Sequence, residues 1–216
     1  MLLISWSVYG PLATLIDRRR FRERPRGILL TFDDGPDPRY TPPLLDLLDE
    51  FDVRAIFFVL GYKVRRHPEI ARDIIAGGHQ VALHGARHLN GWWATPKQVR
   101  QNIRLGRRQL QKVGIDPGLY RPPYGRTNLA EDKTHQKMYW TKLFHDWDIR
   151  SPKRLLKQLK AGSRPGEIFL LHDGTEGRAK PDMPLVMIGV LRQWLTWARE
   201  NNLILSDGRR WPDETT

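Results

Sequence analysis

The sequence predicts an α/β fold in which parallel βα units form one sheet or barrel. Three observations carry that expectation. Short apolar runs alternate with segments of helical spacing from residue 27 to residue 205, as strands joined by helical crossovers do. No internal repeat, low-complexity tract or linker interrupts the alternation, and 216 residues fit one domain with a sizeable core. Polar residues able to do chemistry recur just after apolar runs: Asp33 and Asp34, then His84, Arg121, Asp146 and His172. In parallel barrels the chemistry sits at the carboxyl ends of the strands.

In chain order, residues 1–16 are mostly apolar but too short for a membrane span. Gly10-Pro11 interrupts them, and neither a basic leader nor a small-residue cleavage site is evident. The basic knot at 18–24 follows. That pairing suits either an anionic membrane surface or a helix packed on the domain. The compartment stays open, with a cell-envelope or membrane-associated one the expectation.

The run 27–30 reads as a buried strand leading into Thr31-Phe32-Asp33-Asp34-Gly35-Pro36. Residues 41–51 open with a cap and prolines and then show helical spacing. The continuous apolar run 54–60, ended by Gly61, predicts a strand covered on both faces. Residues 67–76 read as a helix with Pro68 in its first turn, stopped by Gly77-Gly78. A short strand at 81–83 and a long polar helix at 96–113 come next. Strands are expected at 119–121 and 139–144, a helix at 152–161, a strand at 167–171, a helix at 185–201 and a last strand at 203–205. The domain proper then spans 27–208, between an apolar and basic extension at 1–26 and a tail at 209–216.

Composition narrows the function classes. The absence of Cys excludes disulfides and Cys-based zinc sites. The excess of 36 basic over 24 acidic residues, a net charge of +12, points to polyanionic partners such as anionic lipid or acidic cell-wall polymers. Specific nucleic-acid recognition is not expected, because no basic stripe carries interleaved stacking aromatics. Trp92-Trp93, beside the 84–88 segment, reads as a sugar-facing wall or as core.

The adjacent carboxylates Asp33 and Asp34 resist joint ionisation unless a cation or a hydrogen-bond network supports them. His84 and His88 stand four residues apart, a spacing that on a helical turn aims both rings at one metal ion. With Asp34 they make a two-histidine, one-carboxylate set that leaves coordination positions open. Asp33, not ligating, could then take a proton from water, and His172 could protonate a leaving group. Arg121, on the stiff Arg121-Pro122-Pro123 turn, could hold a carboxylate. The residues by themselves lead to a metal-assisted hydrolase.

These segments resemble the polysaccharide deacetylases of carbohydrate esterase family 4, the NodB homology domain. The ordered motifs are Thr31-Phe32-Asp33-Asp34-Gly35, His84-Gly85-Ala86-Arg87-His88, Arg121-Pro122-Pro123-Tyr124-Gly125 and Leu170-Leu171-His172-Asp173-Gly174. The resemblance runs from about residue 27 to residue 205 and implies a distorted, roughly seven-stranded β/α barrel. It implies Asp33 as catalytic base, with Asp34, His84 and His88 as ligands of a divalent metal. Zinc is the expected ion, and the donors also admit cobalt, nickel or iron. Arg121 would orient Asp33, the backbone amide of Tyr124 would hold the oxyanion, and His172 would be the acid. The Asp-Trp pair that supports that acid has two registers here, Asp146-Trp147 with Trp140, or Trp147-Asp148; Asp146 is favoured. Gln80 stands where the family usually has Glu.

The implied activity is removal of the N-acetyl group from an amino-sugar glycan or glycolipid. Two other readings remain: a de-N-acylase or amidohydrolase on a small or lipid-linked substrate, and a non-catalytic basic glycan-binding domain.

Overall fold

The computed structural model describes residues 3–128, 136–177 and 179–211. Seven strands lie in one parallel sheet: β1 (Leu29–Asp33), β2 (Ile56–Val59), β3 (Gln80–Leu83), β4 (Leu119–Tyr120), β5 (Gln136–Lys137), β6 (Lys142–Leu143) and β7 (Ile168–His172). Their order is β5-β4-β3-β2-β1-β7-β6, curled into the half-barrel of the distorted β/α type that the sequence implied. The helices are α1 (Leu3–Arg20), α2 (Thr41–Glu50), α3 (Gly61–Arg66), α4 (Pro68–Ala76), α5 (Pro96–Gln111), α6 (Pro152–Gly162) and α7 (Met183–Glu200).

Alternation along the strands divides the core into two layers. Leu30 and Phe32 of β1, Phe57 and Val59 of β2, Leu83 of β3 and Phe169 and Leu171 of β7 pack with the helices. Leu29, Ile56, Phe58, Ala82 and Ile168 fill the other face with Leu119, Met138 and Tyr139. That parity is what positions the site. Thr31 and Asp33 follow Leu29 at intervals of two, as His84 follows Ala82 and His172 follows Ile168, so these polar side chains share the concave face. The β1–β7 register sets Asp33 beside His172 directly.

The structure departs from the sequence reading at several elements. The strand stops before Gly61 as expected, but Gly61 also opens the short helix α3, which was not anticipated, and packing favours a glycine there. A Cβ at that position would lie 2.2 Å from Gln109 Oε1 and 2.9 Å from the Cα of Gly106 on α5. The expected strand at 139–144 contracts to Lys142–Leu143, and β5 arises at Gln136–Lys137 where no strand was anticipated. Residues 203–205 make only an isolated bridge, Ile28 to Leu205. Positions 1, 2, 129–135, 178 and 212–216 lie outside the described residues, and with them part of the 125–147 segment and of the expected tail.

Gly10-Pro11 does not end the N-terminal helix, which runs through both residues. Among its described side chains, Ala13 and Thr14 are buried and Leu12, Leu15 and Ile16 are exposed. Thr14 accepts a hydrogen bond from the Trp92 indole (3.0 Å) and another from the Thr127 N–H (3.0 Å). Asp17 pairs with Lys137 (2.6 Å), and the Arg18 guanidinium stacks 4.5 Å over the Trp140 ring. No described helix is long and apolar enough to cross a membrane.

Candidate active site

The carboxyl ends of β1, β3, β4 and β7 meet at one point. Asp33 ends β1, and Asp34 follows in the left-handed region (φ 74°), which turns its carboxylate away from the strand direction. Two contacts hold that uncommon backbone: the Asp34 carbonyl accepts from the buried Lys63 ammonium (2.8 Å), and Gly174 packs so closely that a Cβ there would lie 2.3 Å from the same oxygen. Gly35 is required for a similar reason, since its Cβ would meet Asp173 Oδ2 at 2.1 Å.

His84, just after β3, donates from Nδ1 to the Arg121 carbonyl (2.7 Å). A carbonyl only accepts, so the proton resides on Nδ1 and the Nε2 lone pair faces the site. Nε2 of His84 lies 3.4 Å, and Nε2 of His88 3.3 Å, from Asp34 Oδ1. One ligand atom from each of the three residues lies within 4.8 Å of the others. Zinc bonds of about 2.0–2.1 Å in a tetrahedron give ligand–ligand edges of about 3.4 Å, so the spacing fits such an ion. Asp34 Oδ1 is also buried and receives no hydrogen bond, an orphaned acceptor that a cation would satisfy. Burial by itself would raise the Asp34 carboxyl, but the imidazoles of His88 and His84 outweigh it and hold it well below the usual carboxylate range. Burial also lowers His88, against the opposing pull of Asp34.

Asp33 is buried beside this set. Its Oδ1 accepts from Arg121 (2.8 Å), while its Oδ2 lies 3.8 Å from His84 Nε2. Arg121 is itself fully buried and over-determined. Its guanidinium donates to Thr31 Oγ1 (2.8 Å) and to the carbonyls of Met138 and Tyr139 (both 3.3 Å), and lies 3.9 Å from the Phe58 ring centroid. Such a cation fixes its carboxylate partner in one orientation.

On the opposite side, His172 is clamped by Asp146, one carboxylate oxygen accepting from the ring Nδ1 (2.9 Å) and the other from the His172 backbone N–H (2.8 Å). The favoured register is therefore the one whose carboxylate touches the imidazole; Asp148 pairs instead with Lys180 and Arg150. Burial depresses His172, but the Asp146 charge and hydrogen bond prevail and push it up to about 9. Tyr124 takes a positive φ (58°) after the Pro122-Pro123 turn, its ring 4.3 Å from that of His88. All eight residues singled out in the sequence converge here.

A polysaccharide deacetylase family model matches residues 22–140. The chain belongs to the polysaccharide deacetylases of carbohydrate esterase family 4. A peptidoglycan-N-acetylglucosamine deacetylase of Bacillus cereus is 33% identical over 170 residues, covering 74% of this chain and 79% of that protein. A chitooligosaccharide deacetylase of a Bradyrhizobium species is 35% identical over 156 residues, covering 69% and 71%. Among solved structures, a family 4 carbohydrate esterase from Streptomyces lividans in complex with acetate superposes with a TM-score of 0.69 at 26% identity, over 85% of this chain and 92% of that one. The family hydrolyses N-acetyl groups of glycans.

The candidate site opens into a groove of about 600 Å³, walled by Asn90, Trp93, Tyr124, Trp140, Trp147 and Glu176. Sequence reasoning missed the layer behind it. Lys63 bridges the Asp34 carbonyl and Glu176 (3.2 Å), and Glu176 also accepts from the Tyr62 hydroxyl. Lys63 belongs to an unremarkable Tyr-Lys-Val string whose burial only the packing of α3 reveals. Asp173 was legible as part of a motif but not as a buried acid. Burial raises it to about 7, against the hydrogen bond from Thr41 (2.7 Å).

Proposed function

We propose that this chain hydrolyses the N-acetyl group of an amino-sugar glycan of the chitooligosaccharide or peptidoglycan class, in a metal-dependent reaction that releases acetate and leaves a free amine. One observation carries the proposal: a candidate metal triad of Asp34, His84 and His88 stands between an arginine-held carboxylate, Asp33, and a carboxylate-held imidazole, His172, at the floor of an open groove. The relatives' glycan substrates support the substrate class. The open groove favours a glycan over a small molecule.

A divalent ion held by Asp34, His84 and His88, zinc by its donors with cobalt, nickel or iron admitted, supplies a Lewis acid that acidifies water and polarises the acetamide carbonyl. Asp33 then removes the proton of the attacking water. Arg121 confines Asp33 to the orientation in which one oxygen stays free for that proton. The Tyr124 N–H, presented by the positive-φ turn, stabilises the charge that develops on the carbonyl oxygen. His172 enters the reaction protonated, because Asp146 raises it, and delivers its Nε2 proton to the sugar nitrogen as the C–N bond breaks. Water thus contributes hydroxyl to acetate, and the amine leaves neutral.

The test is acetate release from N-acetylated chitooligosaccharides and from peptidoglycan by metal-loaded protein; release from neither would refute the proposal. Residue roles separate in two variants. Asp33→Asn should lower turnover by about 10²–10⁴-fold while metal content stays at the wild-type level. His84→Ala should lose both. Asn is the informative substitution at position 33, because its amide oxygen can still accept from Arg121, whereas Ala would also remove that acceptor from the buried guanidinium.

A further inference from the structure

Trp93 is 76% exposed, the most open of the large hydrophobic side chains among the described residues, and it lines the same groove as the metal triad. An exposed indole contributes little to stability, and a floppy loop would be the ordinary setting for one. The 90–94 loop is the reverse. The Asn90 carbonyl accepts from the N–H groups of Trp93 (3.2 Å) and Ala94 (3.1 Å), and the Asn90 side chain accepts from the Trp92 N–H (3.0 Å). The buried Asn128 amide donates to the carbonyls of Gly91 and Ala94, both at 3.2 Å.

Trp92 is the anchor of the loop. Its indole N–H is bound by Thr14 of α1 (3.0 Å), and the Arg126 guanidinium stacks 4.2 Å from its ring centroid. Gly10 of α1 lets the helix come close, since a Cβ there would lie 2.9 Å from the Trp92 ring. Trp92 is held, and Trp93 is presented.

We propose that Trp93 is a stacking platform for a sugar of the glycan other than the one being deacetylated, so that the preferred substrate is an extended chain rather than a single sugar or a disaccharide. Pyranose rings offer an apolar C–H face that packs on an indole, and an aromatic carried on a pinned backbone gains that contact with only its two side-chain torsions left to order. Asn90 and Arg126, beside Trp93 on the groove wall, supply polar atoms for the ring hydroxyls. The inference rests on the glycan deacetylase reading and specifies its substrate length. It also gives α1 a part in recognition, as the buttress behind Trp92.

The experiment compares N-acetylated chitobiose with chitohexaose, for wild type and Trp93→Ala. Two readouts are taken: kcat/KM for acetate release, and Kd from tryptophan fluorescence of the metal-free protein, which does not require turnover. Wild type should favour the hexamer, and Trp93→Ala should collapse that preference by about three- to tenfold, through KM and Kd rather than kcat. Trp93→Phe should restore part of it. A preference left unchanged by Trp93→Ala, an equal loss for both lengths, or no binding of chitohexaose to the wild type would overturn the proposal. If hexamer binding depends on Trp93 while no acetate appears, the platform stands and the catalytic reading falls.

Discussion

Replacing Asp146 with Asn tests the acid side of the site quantitatively. The Asp146 carboxylate is the chief reason that His172 lies near 9 instead of its usual value near 6.5, since burial pushes the other way. Removing the charge while keeping the side-chain shape should return the imidazole to about 6.5 or below, a shift of roughly two pH units or more. At pH 8 a group titrating at 9 is about nine-tenths protonated and one titrating at 6.5 about 3%, so the acid-competent fraction falls roughly 30-fold. Near pH 5.5 the charge effect costs less than about twofold. The assay is kcat/KM for acetate release from pH 5 to 10, together with a titration of the His172 ring by NMR. An alkaline limb unmoved in Asp146→Asn would refute the reasoning.

The same pair carries a stability signature: because folding raises His172, its contribution is fully present below pH 6.5 and fades as pH rises through about 9, amounting to about 3 kcal/mol by urea unfolding of wild type against Asp146→Asn. His79 gives the opposite sign. It accepts the Ala55 N–H (3.1 Å), and burial lowers it to about 4, so its contribution is complete above pH 6.5 and declines towards pH 4. A His79→Gln variant should lose that slope, worth up to about 3 kcal/mol, when stability is measured by urea unfolding across the window. Lys63→Met removes the donor to the Asp34 carbonyl and leaves Glu176 with one partner fewer; metal affinity measured by chelator competition should fall about tenfold or more, whereas unchanged affinity would remove Lys63 from any positioning role.

Much of the site was legible because its chemistry is concentrated in short motifs at strand ends. Asp33, Asp34, His84, Arg121 and His172 each follow an apolar run, with His88 four residues beyond His84, and a parallel sheet brings such ends together whatever the helices do. The Asp146 register was ambiguous for a physical reason. The 139–148 segment holds only a two-residue strand and a 3-10 turn, so no hydrophobic period marks which of two nearby carboxylates points inward. Lys63 and Glu176 were invisible because a buried lysine differs from a solvated one only in what packs around it.

The sequence by itself determined the alternating α/β architecture, the deacetylase family and the candidate residues of the site, since periodicity and motif spacing are local properties. Only the tertiary structure decided which face of each strand the polar residues share, which aspartate clamps His172 and which backbone bends to aim Asp34. It also decided that Trp92 is buttressed by α1 while Trp93 stands open in the groove. Those outcomes depend on packing between segments far apart in the chain, where burial and a few tenths of an ångström determine whether a side chain is core, support or contact surface.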